Sequence, residues 1–149
     1  MSAEALAVCL AISHAHARLG LLIENDLGAF HGLSFGDFVL LHRLGSAPAG
    51  RLAMPELASA LGMPLSALTR AMIPLEKIGL VMRDTENPHS QDQGRRDAVI
   101  RPAGQRLMQE ATLTVGAICS TAMRAIEVDR LRDLQKTLSA LHVQEARPH

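Results

Sequence analysis

The chain has 149 residues, room for one domain and not for a second catalytic one. Its 15 basic and 15 acidic side chains cancel, and 48% of its residues are apolar, which excludes a polybasic coat for nucleic acid and a mostly disordered chain. The only aromatics are Phe30, Phe35 and Phe38, too few for the stacking platforms that hold single strands.

Apolar residues at Leu6, Leu10, Ala17 and Leu21 recur with a helical period and predict a first helix from Ala3 to about Leu27. It is apolar on nearly every side, so more than one neighbour is expected against it. Its stretch Ala5 to Ile23 carries His14, His16 and Arg18 and follows no basic segment, so neither a membrane span nor a secretion signal is expected. Gly28, Gly32 and Leu33 mark a turn, and Ser34 with Asp37 forms a loose capping box for a second helix to Leu44. Gly45, Pro48 and Gly50 break that helix and leave Arg51 to Ala53 as a stub of strand. Pro55 suits the first turn of a third helix that ends at Gly62, and Pro64 opens a fourth that ends at Gly79. Helix, glycine turn, helix is the helix-turn-helix arrangement. Pro74 removes a donor inside the fourth helix and predicts a bend there.

Leu80 to Asp84 and Arg95 to Ile100 read as two strands around a polar loop, a hairpin wing with a long tip. From Pro102 a helical period runs to Ile126, too long for one helix without a bend, and Leu131, Leu134, Leu138 and Leu141 continue it as a seam suited to a second chain. The fold class is therefore mainly α with a small β-hairpin wing. A winged helix-turn-helix DNA-binding region over 34–101 stands between helical dimerisation segments 1–33 and 102–149. Cys9 and Cys119 fit neither a disulfide framework nor a zinc ribbon, so a reducing cytoplasm is the simplest setting. The seven histidines include no i, i+4 pair, so no metal site and no cofactor are read. There is no glycine-rich phosphate loop, GxSxG or HExxH, so no catalytic residue is assigned and the chain is not read as an enzyme.

The order of elements, with LSFGDFVLLHRL (Leu33 to Leu44), ELASALGMPLSALTRAMIPLEKIGLV (Glu56 to Val81) and RPAGQRLMQEA (Arg101 to Ala111), resembles the MarR-type winged helix-turn-helix transcriptional regulators. The resemblance implies a homodimeric repressor on a pseudo-palindromic double-stranded DNA site, released by a small aromatic carboxylate or phenolic effector. It places Ser66, Thr69 and Arg70 where base edges are read in the major groove, and Arg95 and Arg96 at a wing that enters or flanks the minor groove. It also implies an effector cleft between dimer and DNA-binding regions, here lined by His14, Arg18, Phe38 and His42, with Arg18 for a carboxylate and Phe38 for a ring. Two departures bear on readout. Pro64 and Leu65 stand where the family favours polar residues, which thins hydrogen-bond readout and leaves apolar contact to a thymine methyl. The wing has Asp92, Gln93, Gly94, Arg95 and Arg96 in place of the usual Asp-x-Arg, so either arginine can take the groove role.

Two alternatives use the same architecture. Some relatives sense peroxide through a cysteine in the first helix, where Cys9 lies, although tyrosines stabilise the thiolate in those proteins and this chain has none. A dimerisation protein that does not bind DNA would keep the helical segments and lose the function of the winged region.

Overall fold

The computed structural model describes residues 2–84 and 96–141. The elements are α1 (Ala3–His31), α2 (Phe35–Gly45), a 3-10 turn (Pro48–Gly50), β1 (Arg51–Ala53), α3 (Met54–Leu61), α4 (Leu65–Lys77), β2 (Val81–Asp84), β3 (Asp97–Ile100), α5 (Pro102–Ala122) and α6 (Val128–Ser139). The first helix runs four residues past the predicted end, because Gly28 stays helical and Gly32 supplies the left-handed cap at φ 66°. The long C-terminal period is divided at Met123 to Glu127 into α5 and α6, as its length required.

Local chemistry accounts for the ends. The Ser34 hydroxyl accepts the Asp37 N–H at 3.0 Å, half of a capping box, and starts α2. After α3, Gly62 at φ 66° lets the Met63 N–H return to the Ala58 carbonyl. After α4, Gly79 at φ 78° lets the Leu80 N–H return to Leu75, so a Schellman turn aims the chain into the wing. Pro64, read as the first residue of α4, is its N-cap, so the helix starts at Leu65, one residue later than predicted. The helix continues through Pro74 to Lys77.

The core is formed where α2, α3, α4 and the wing meet the C-terminal part of α1 and the first half of α5. Leu27, Leu40, Leu41, Leu44, Leu57, Leu68, Met72, Leu75 and Val81 are all but fully enclosed, and each buried side chain of this size stabilises the fold by about 1.5–3 kcal/mol. Gly104 brings α5 against the chain leaving α4. A Cβ there would overlap the Leu80 carbonyl oxygen, the same oxygen that accepts the Arg101 N–H at 2.9 Å.

The sheet is antiparallel in the order β1-β3-β2, so the predicted strand stub joins the hairpin as a third strand. In its register Asp84 stands opposite Asp97, a like-charge pair that is unfavourable alone. Arg51 on β1 resolves it, with one guanidinium nitrogen 2.9 Å from Asp84 and the other 3.2 Å from Asp97. The hydrogen bonds to Asp84 and Asp97 raise the arginine's pKa above its ordinary value. A second pair, Arg83 to Glu76 at 2.6 Å, ties β2 to α4. The third strand begins at Asp97, two residues later than expected.

By length and composition α1 is long and apolar enough to cross a membrane. Here Ile23 and Leu27 near its C-terminal end are buried, and it lies against α5 and α2. Its N-terminal part leaves Leu6, Val8 and Leu10 more than half exposed. No residue of α6 is buried, and Leu134, Leu138 and Leu141 stand open to solvent.

Candidate nucleic-acid interface

Helix α4 presents two faces of opposite character. Leu68, Met72 and Leu75 turn into the core, which at 100° per residue turns Ser66, Arg70, Ile73 and Lys77 outward. Ser66, Arg70, Ile73 and Lys77 are exposed, and Thr69 is half-buried at the edge of the same face. Ser66, Thr69 and Arg70 are thus brought together as the sequence spacing required. Arg70 has no hydrogen-bond or ion-pair partner among the described residues. The Thr69 hydroxyl donates to the Leu65 carbonyl at 3.0 Å, so its proton is committed to the helix. Pro74 has no N–H to donate to Arg70, and both residues are exposed.

The wing stands beside α4 through the Arg83–Glu76 pair. Arg96 is exposed at the foot of β3, and its carbonyl accepts the Met54 N–H at 3.0 Å. This bond fixes the backbone and leaves the side chain outside. Arg95 lies outside the described residues. In a net-neutral chain, Arg70 and Lys77 put two exposed cations on the outward face of α4, and Arg96 is a further exposed cation at the foot of β3.

The residues expected to line an effector cleft divide between two places. On α2 the rings of Phe38 and His42 lie 5.6 Å apart, Phe38 buried and His42 exposed. On α1, His16 faces Phe35 at 5.9 Å, so Arg18, two residues on and about 200° around the helix, looks away from α2. His14 is exposed and shares the side of Arg18 by its four-residue spacing. Arg18 lines a groove of about 400 Å³ with Ala15, Leu19, Leu22, Ala122 and Met123. Within one chain, helical phase therefore puts Arg18 on a different side of α1 from the one that faces α2.

Several contacts carry no sequence signal. Glu24 on α1 accepts the Phe35 N–H at 2.9 Å and so caps α2 from another helix. His31 Nε2 and the Thr114 hydroxyl, 83 residues apart, meet at 2.7 Å between α1 and α5. Cys9 is exposed and Cys119 half-buried. Among the described residues there is no cluster of side chains able to hold a metal ion.

The fold is that of known regulators over nearly the whole chain. The transcriptional regulator BldR from Sulfolobus solfataricus is 26% identical, with 95% of this chain and 100% of that one superposed at a TM-score of 0.79. Sco3205, a MarR family transcriptional regulator from Streptomyces coelicolor in complex with DNA, is 22% identical over 93% of this chain and 89% of that one, with a TM-score of 0.78. NadR, in complex with 4-hydroxyphenylacetate, is 21% identical over 91% and 94%, with a TM-score of 0.75. No family model matches the sequence, and no curated protein matches it.

Proposed function

We propose that this chain, which has the MarR-type winged helix-turn-helix fold, is a cytoplasmic, non-enzymatic transcriptional regulator that binds double-stranded DNA as a homodimer. The observation that carries this reading is the outward face of α4, with Arg70 exposed and without a partner among the described residues, beside a wing whose base is cross-tied by Arg51. Ser66, Thr69 and Arg70 read the major groove, and Arg96 with Arg95 positions the wing on or beside the minor groove.

A second copy covers the apolar surface that one chain leaves open on α1, on α6 and just after it, at Leu6, Val8, Leu10, Leu134, Leu138 and Leu141. Two-fold symmetry then sets two reading helices on a pseudo-palindrome with half-sites about 10 base pairs apart. Selection of bound duplexes from a random pool is expected to return an inverted repeat, and light scattering twice the 16.0 kDa mass of the chain. A monomeric mass at micromolar concentration, or a pool without enrichment, contradicts the reading.

The regulator acts as a repressor released by a small aromatic acid, the class of ligand that the related NadR carries. Of the four expected ligand residues, Arg18 has the best setting, a cation at the edge of an apolar groove. His14 is near enough along the helix to donate to a hydroxyl, whereas Phe38 and His42 meet the same ligand only if the second chain completes the site. To release DNA, the effector must bind more tightly to a dimer whose reading helices are wrongly spaced. Arg18→Ala is expected to abolish release by millimolar salicylate-like acids and to leave ligand-free DNA binding intact. Calorimetry and gel shift on both proteins check this, and an unchanged response places the effector elsewhere.

A further inference from the structure

Resting on the DNA-reading role of α4, we propose that this helix selects its half-site through thymine methyl groups, with Leu65, Thr69 and Ile73 as the specificity-determining strip. The three residues follow one another at four-residue intervals, a line about 12 Å long on a helix rising 1.5 Å per residue. That length matches roughly three to four base steps of 3.4 Å. Leu65 is 47% and Ile73 39% exposed. A single exposed leucine is ordinary on a protein surface, but here apolar carbon lines the edge of the same face that carries Ser66, Arg70 and Lys77.

The chemistry of Thr69 joins the strip together. Its hydroxyl proton is given to the Leu65 carbonyl, so it cannot donate to guanine O6 or thymine O4, and its methyl is the part with no partner to satisfy. In the major groove the thymine C5-methyl is the one apolar feature that separates T·A from the other base pairs. Arg70, next to Thr69, and Lys77, four residues past Ile73 at the end of the strip, supply cations for phosphates or for a guanine at its margin. The occupant that fits this face is therefore a thymine-bearing duplex, with apolar contact in place of the bidentate amide contacts a helix rich in Asn or Gln would make.

The test replaces thymine by deoxyuridine in the selected duplex, which deletes the methyl and keeps every hydrogen-bonding group. The wild-type protein is expected to lose affinity on the order of fourfold per contacted methyl, the factor for one buried methylene-sized group. Thr69→Ser and Ile73→Ala are expected to bind the thymine duplex more weakly and to lose much of the preference for thymine over deoxyuridine. Thermal melts establish that the variants are folded; if one is not, the wild-type comparison of the two duplexes decides alone. Equal affinity of the wild type for both duplexes, with Arg70→Ala still losing discrimination, overturns methyl reading and keeps α4 as the reading helix. Failure to prefer any duplex over random DNA removes the reading role and the methyl strip with it.

Discussion

Arg70→Ala is expected to lower affinity for the selected operator roughly 10–100-fold, the range for losing one good base contact, while affinity for random DNA falls much less. The asymmetry follows from the position of the side chain. It is exposed on the outer face of α4, opposite Leu68 and Leu75, and it pairs with no other group among the described residues. Removing it leaves no buried charge behind, so stability should change by no more than about 0.5 kcal/mol. A gel shift against specific and random duplexes, read beside a thermal melt, separates the outcomes. Equal losses on both duplexes would make Arg70 a phosphate contact, and a fall in melting temperature would make it structural.

Gly104→Ala is expected to destabilise the fold by about 3 kcal/mol and to lower the melting temperature by roughly 10 °C. Helix propensity alone gives the opposite sign, since alanine is favoured over glycine inside a helix by about 1 kcal/mol. Packing reverses it. A Cβ at Gly104 meets the Leu80 carbonyl, which is backbone and already accepts Arg101, and the Ile100 side chain closes the other side. Relief requires α5 to move off the exit of α4, and the same movement would disturb the wing. Gly36→Ala is the control, because a Cβ there meets only the Ser34 hydroxyl oxygen at 3.8 Å. Its melting temperature should hold or rise. A melt in which Gly104→Ala is as stable as the wild type would mean that α5 does not pack against Leu80 as described.

The parts of this fold that are legible in the sequence are those set by local chemistry. Gly62 and Gly79 end helices because they adopt left-handed backbone that residues with a Cβ resist, and Ser34 starts one through its hydroxyl. The apolar residues Leu68, Ile73 and Leu75 mark α4 as a helix in the sequence, but Met72 takes the inward place beside Leu68 and Leu75 while Ile73 stands exposed; the spacing of Ser66, Thr69 and Arg70 is what puts them near one another. What was not legible depends on distant segments meeting. Arg51 lies 33 and 46 residues from the aspartates it joins, and only the strand register puts Asp84 opposite Asp97. The placement of Arg18 on a different side of α1 from Phe38 and His42 was not legible for a related reason. A period shows that α1 is a helix, but which side meets α2 is settled by contacts such as His16 with Phe35 and Glu24 with the Phe35 N–H.

The wing shows both limits at once. Its strands alternate well enough to be found, yet β3 starts at Asp97, where the carboxylate can reach Arg51, and not at Arg95. The stub β1 was legible only from the Gly45, Pro48 and Gly50 breaks that isolate it, and its place at the edge of β3 follows from a pairing that no local signal shows.

The central claim is that two copies of α4 read two successive major grooves on one face of a duplex. Hydroxyl-radical and methylation footprinting of the selected operator tests it most directly. Two protected segments should be centred about 10 base pairs apart, with guanine N7 in the major groove shielded inside each and adenine N3 in the minor groove shielded outside them by the wings. A single protected segment, or protection spread evenly along the duplex, would contradict it.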